Sequence, residues 1–144
     1  MLTNASAQVI QKVKMDDVVT LLDTSKGPVM VNFFATWCSP CVHELPYFEK
    51  EAAEKKVKLV LVSLDFAESV PNGIRSFMNK NKYRSTVYWL SDTNADEYCP
   101  KIDRSWNGAI PVTIMVNNTK KIRQFYGFQL TEERLVAELK KLVD

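Results

Sequence analysis

Glycine is scarce in this chain, four residues in 144, and no glycine-rich loop exists that would cradle a phosphate. Neither sign of charge dominates: 19 basic and 17 acidic residues are interspersed and leave a formal charge of +2. No basic face stands ready to neutralise a phosphate backbone, which excludes nucleic acid as the expected partner. Long hydrophobic runs are also missing; the longest are strand-sized, short of the roughly 20 residues a membrane span needs. The chain is therefore expected to be soluble, with no membrane insertion. There is no repeat, low-complexity tract or linker, and 46% hydrophobic content over 144 residues suffices for one compact domain, residues 1–144. A polar leader is expected over about residues 1–14. Within it Ala5-Ser6-Ala7 fits the small-x-small pattern of a signal-peptidase site, whereas Met1 to Asn4 carry neither a basic nor an apolar region. A plain leader and a removed export or lipoprotein signal both remain open.

Cysteine is rare too, three residues, but two of them form Cys38-Ser39-Pro40-Cys41 directly after Trp37 and the apolar run Val29-Met30-Val31-Asn32-Phe33-Phe34. A core of this size needs no staple, so the pair is free to do chemistry. The pattern places a dithiol where a buried strand hands over to a helix. Cysteines three positions apart at a helix start can close a small disulfide ring, and unpaired backbone N–H groups favour the leading thiolate. Thiolate is the form that attacks disulfides, so the dithiol points to thiol–disulfide exchange.

Met15 to Leu22 has acids at its start and helical apolar spacing, and predicts a short helix ending near Gly27-Pro28. Pro28 opens a strand through Phe34, apolar on both faces as a central strand should be. Ser39 to Lys56 reads as a helix with Pro46 in its interior, where a kink is expected. Val57 to Leu64 and Thr86 to Leu90 read as strands, Ile74 to Met78 lies in a helix, and Asp96 to Arg104 is a polar, helical segment. Pro111 to Val116 and Lys121 to Tyr126 flank Asn117-Asn118-Thr119-Lys120, whose residues tolerate the left-handed conformations a hairpin turn demands. Thr131-Glu132-Glu133 caps a last amphipathic helix through Leu142. This alternation predicts an α/β fold with a mixed sheet.

The stretch Asn32 to Pro46, with Val62-Ser63-Leu64-Asp65 and with Ile110-Pro111 opening a late strand, resembles the thioredoxin superfamily and within it the TlpA/ResA-like thiol–disulfide oxidoreductases. The resemblance covers about residues 28 to 143 and implies a thioredoxin-like fold, a central mixed β-sheet flanked by helices on both faces. Asn32 sits where thioredoxin usually has an aspartate, and Glu44 follows the second cysteine as in ResA-like proteins. The segment Asp65 to Asn107 looks like that group's inserted helix and strand. One feature departs: a helix from Asp16 to Ser25 stands where TlpA-like proteins usually carry an N-terminal strand pair.

Taken with the chemistry, the resemblance implies that Cys38, at the exposed end, attacks and that Cys41, one turn inward, resolves the mixed disulfide. Asn32 cannot accept a proton, which leaves Glu44 as the base for Cys41; an exposed helix acid is the alternative. A cis Ile110-Pro111 peptide facing the dithiol is implied, with Ile110 backbone free to pair with an extended substrate; a trans proline on an edge strand is the alternative. Trp37 is either a lid and docking surface beside the thiols or a core tryptophan. No cofactor is implied.

Three further features bound the function. Cys99 is either a third redox group or a small buried hydrophobe. Cys38, Cys41, His43 and Cys99 nominally compose a Cys₃His zinc set, but Cys41 and His43, two apart on one helix, point in different directions, so no metal site is expected. Thr36 lies two residues before Cys38, not the three of peroxiredoxins. The expected function is reduction of disulfides in exported proteins, recharged by an upstream electron donor, in an extracytoplasmic setting implied by the resemblance. A non-catalytic module that binds extended peptides or a partner protein is the alternative.

Overall fold

The computed structural model describes residues 9–144. Ala5-Ser6-Ala7 lies outside the described residues. Six strands form one sheet in the order β1-β4-β3-β2-β5-β6. Their ranges are β1 Gln11–Val13, β2 Val29–Phe34, β3 Lys58–Ser63, β4 Thr86–Leu90, β5 Val112–Asn117 and β6 Ile122–Tyr126. Strands β1, β4, β3 and β2 run parallel; β5 and β6 are antiparallel to their neighbours. The helices are α1 Met15–Thr24, α2 Ser39–Lys55, α3 Asn72–Asn81, α4 Ala95–Tyr98 and α5 Glu132–Val143.

The central strand β2 is buried at all six positions, and its alternate residues serve two cores. Met30 and Phe34 join Leu45, Phe48, Ile74, Met78, Leu135 and Leu139 beneath α2, α3 and α5. Val29, Val31 and Phe33 join Val18, Leu22, Tyr98 and Trp106 beneath α1 and α4. A strand with period two between two helical layers buries both faces, which is why this run carries no polar alternation. Its one polar residue, Asn32, falls on the α2 side.

Two expectations need correction. The polar leader does not reach residue 14: Gln11–Val13 pairs in parallel with β4, Val13 opposite Leu90, and buries Val13. A three-residue strand with one buried side chain leaves almost no hydrophobic signal, so its pairing partner alone defines it. In the hairpin, the left-handed residue is Lys121, φ 57°, and none of the preceding asparagines. Asn118 is instead fixed by its amide, which donates to the carbonyls of Leu22 and Ser25, both at 2.9 Å.

Candidate active site

The cysteine pair sits where β2 ends and α2 begins. Cys38 is the N-cap of α2: its backbone is extended, its carbonyl accepts from Val42 N, and its Sγ accepts from Cys41 N at 3.4 Å. Pro40 fits the first turn, where a missing N–H costs nothing. A sulfur in the N-cap position faces the positive end of the helix dipole, which favours negative charge on it. The two sulfurs are joined in a disulfide with Cα atoms 5.3 Å apart. Cys41 is fully buried; Cys38, expected at the exposed end, is only 6% exposed.

Ile110-Pro111 lies opposite and is cis. The Ile110 carbonyl oxygen stands 3.9 Å from Cys38 Sγ. A disulfide sulfur has no hydrogen to donate, so this is a contact in the closed state and a place for a thiol hydrogen in the reduced one. Trp37 is no core residue: it is 59% exposed and stacks on Phe66, itself 65% exposed, with ring centroids 6.0 Å apart. Beyond Phe66 a cleft of about 320 Å³ opens at the C-terminal ends of β3 and β4, lined by Leu64, Trp89 and Tyr98 among others. Phe66 was missed from sequence; a lone aromatic just past an apolar strand, between Asp65 and Ala67, was the available signal.

Glu44 is not the exposed helix acid of the alternative expectation. It is fully buried, three residues after Cys41 and hence on the same face of α2. Leu130 N donates to its Oε1 and Asn32 Nδ2 to its Oε2, both at 2.9 Å. Desolvation pushes its pKa up from 4.5 to about 7, against the lowering effect of those two hydrogen bonds. A carboxyl of this kind gains and loses a proton near neutrality. Tyr47, one turn on, donates its hydroxyl to Leu130 O and so ties the loop before α5 to α2.

The remaining residues fall elsewhere. Cys99 is free and buried in the opposite core, and burial pushes its thiol up to about 11. His43 is exposed and edges against Tyr47. Among the described residues no group of three His, Cys, Asp or Glu side chains is placed to hold a metal, and no helix is long and apolar enough to cross a membrane.

A disulfide-forming Cys-x-x-Cys at the start of a helix that follows the central strand, with a cis-proline loop opposite, defines a thioredoxin-fold protein whose site is built for dithiol–disulfide chemistry. Residues 4–125 match the AhpC/TSA family, and the chain belongs to that family and to its ResA/TlpA-like thioredoxin-fold members. It is 34% identical over 124 residues to the thiol-disulfide oxidoreductase ResA of Oceanobacillus iheyensis, covering 84% of this chain but 60% of that relative's length. The fold is shared with a thioredoxin-related protein of Neisseria meningitidis at TM-score 0.68 and 23% identity, covering 84% of this chain and 89% of that one. It is shared also with a secreted disulfide oxidoreductase of Mycobacterium tuberculosis at TM-score 0.64 and 17% identity, covering 83% and 85%.

Proposed function

We propose that this protein is a thiol–disulfide oxidoreductase, one thioredoxin-like domain that reduces disulfides in exported proteins outside the cytoplasm. The observation that carries the proposal is the Cys38 sulfur in the N-cap of α2, disulfide-bonded to buried Cys41. In the reduced protein the Cys38 thiolate attacks a substrate disulfide, forms a mixed disulfide and expels one substrate thiolate. Cys41 gives its proton to Glu44 and attacks Cys38 Sγ, which releases the second substrate thiolate and closes the Cys38–Cys41 bond. Two electrons pass to the substrate, and an upstream dithiol donor restores them. Trp37, Ile110 and Pro111 form the substrate-binding lip, Ile110 through its backbone. The name of the ResA relative supports the activity, and the secreted structural neighbour is consistent with an extracytoplasmic setting.

Insulin-disulfide reduction tests this directly. Cys38→Ser should abolish turnover, and Cys41→Ser should accumulate mixed disulfides through Cys38, because the resolving step is missing. A Cys41→Ser protein that traps no disulfide substrate while its Cys38 is still alkylated by iodoacetamide would instead mark a binding module. A reduction potential near about −270 mV fits a reductant; one near about −120 mV overturns the direction proposed.

A further inference from the structure

Asn32 lies at the middle of β2 and is fully buried. Met30 and Phe34, two residues to either side, enter the core layer that holds Cys41, so Asn32 points to that layer too. Its amide nitrogen spends both hydrogens: one goes to Glu44 Oε2 at 2.9 Å and one to Thr113 Oγ1 at 3.1 Å. Thr113 is its cross-strand partner on β5. The amide oxygen, Oδ1, is buried with no hydrogen-bond partner.

An orphaned buried acceptor is unfavourable, so the orientation needs a reason. Turning the amide over would let Oδ1 accept from the Thr113 hydroxyl, but it would give up both hydrogen bonds that the amide now donates. Oδ1 would also face a carboxylate oxygen. The amide is thus held as a donor toward Glu44, which suits an ionised carboxylate. With Oε1 also accepting from Leu130 N, both carboxyl oxygens face donors, an arrangement that stabilises the charged form more than the neutral one.

The surroundings of Glu44 are otherwise poor in charge. From β2 and β5 it meets the Asn32 amide and, behind that, the Thr113 hydroxyl; from the loop before α5 it meets the Leu130 N–H. On α2 its neighbours are Cys41 and Tyr47, and the Tyr47 phenol is raised first by desolvation, then by Glu44 and by Glu132 at the start of α5. Among the described interactions no cation pairs with Glu44, so neutral donors supply its stabilisation.

We propose that Asn32 is a positioning residue for the exchange reaction: a donor-only clamp that holds the Glu44 carboxyl on the Cys41 face of α2 and biases it toward the ionised, proton-accepting form. The inference rests on the role of Glu44 proposed above. An acid in place of Asn32 would set two carboxyls at hydrogen-bond distance, competing for one proton, which the amide avoids.

The test titrates Glu44 itself, in the oxidised full chain labelled with carboxyl-¹³C glutamate, the resonance being assigned by its loss in Glu44→Gln. Asn32→Leu keeps the volume and removes the donor, so the Glu44 midpoint should move alkaline by about half a pH unit or more. The pH profile of mixed-disulfide release should move with it. If the leucine variant does not fold, Asn32→Ala is read the same way. An unmoved midpoint in the folded variant overturns the clamp and leaves Glu44 as base. A moved midpoint with a release rate flat in pH upholds the clamp and overturns Glu44 as base.

Discussion

Two buried acids flank the turn that carries the cysteines, and they are wired differently. Asp65, just past β3, takes hydrogen bonds from Thr36 N at 3.0 and 3.1 Å, Thr36 Oγ1 at 2.7 Å and Ser63 Oγ at 2.5 Å. Its backbone carbonyl receives Trp89 Nε1–H at 2.8 Å. Glu44, on the other side, takes two donors and sits fully buried among apolar side chains. The well-supplied acid is a latch, tying the residue before Trp37 to the segment that carries Phe66. The sparsely supplied one keeps a proton affinity close to neutrality, about 7. For Glu44 the desolvation of burial outweighs the two donors aimed at it, and its proton affinity rises.

The sharpest break of this comparison is kinetic. Glu44→Gln keeps shape and removes the proposed base, so mixed-disulfide release should slow by about 10²–10⁴, with attack by Cys38 little changed. Asp65→Asn should leave release within a few-fold of wild type. Stopped-flow reduction of a model disulfide followed by acid quench separates the two steps, and unchanged release in Glu44→Gln across neutral pH would sink the proton-acceptor role.

Stability gives the next effect. Asp65→Asn weakens charge-assisted bonds to Thr36 and Ser63 and should cost about 2 kcal/mol in urea unfolding. For Glu44 the folded-state pKa, about 7, lies above the ordinary 4.5. The folded protein therefore binds this proton more tightly than the unfolded chain. The stability this contributes is fully present below 4.5, is lost as pH rises toward 7, and is absent above. The shift corresponds to at most about 3 kcal/mol. Urea midpoints compared at pH 5 and pH 8 should fall in the wild type and lose that component in Glu44→Gln; an identical slope in both would show that the group does not titrate there.

The smallest effect concerns a different pair, the thiols Cys38 and Cys99. With its thiol pushed up to about 11 in the α1 and α4 core, Cys99 should stay unlabelled when reduced protein meets iodoacetamide at neutral pH. Cys38 should react first, at a rate tempered by its 6% exposure. Prior labelling of Cys99, found by peptide mapping, would reverse the assignment of the nucleophile.

The sequence by itself determined the strand–dithiol–helix unit, because a β2 apolar on both faces but for Asn32, a cysteine N-cap and Pro40 in the first turn are local facts with local consequences. The alternation of elements and the two-sided burial of the central strand were legible for the same reason. The fate of Glu44 was not. Helical spacing put it on the Cys41 face, but whether that face meets solvent or core, and whether Leu130 N and Asn32 Nδ2 reach it, depends on chain brought from 86 and 12 residues away. Asn32 could be excluded as a base from its chemistry alone, while its service as a donor needed Thr113 and Glu44 in place around it. Likewise Trp37 stacks on Phe66 beside a bond that only the fold makes, from Thr36 to Asp65, their respective chain neighbours. Local pattern fixes which bonds a residue is able to make; donors that arrive from distant strands and loops decide which are made, and with them the proton affinity and exposure of the site.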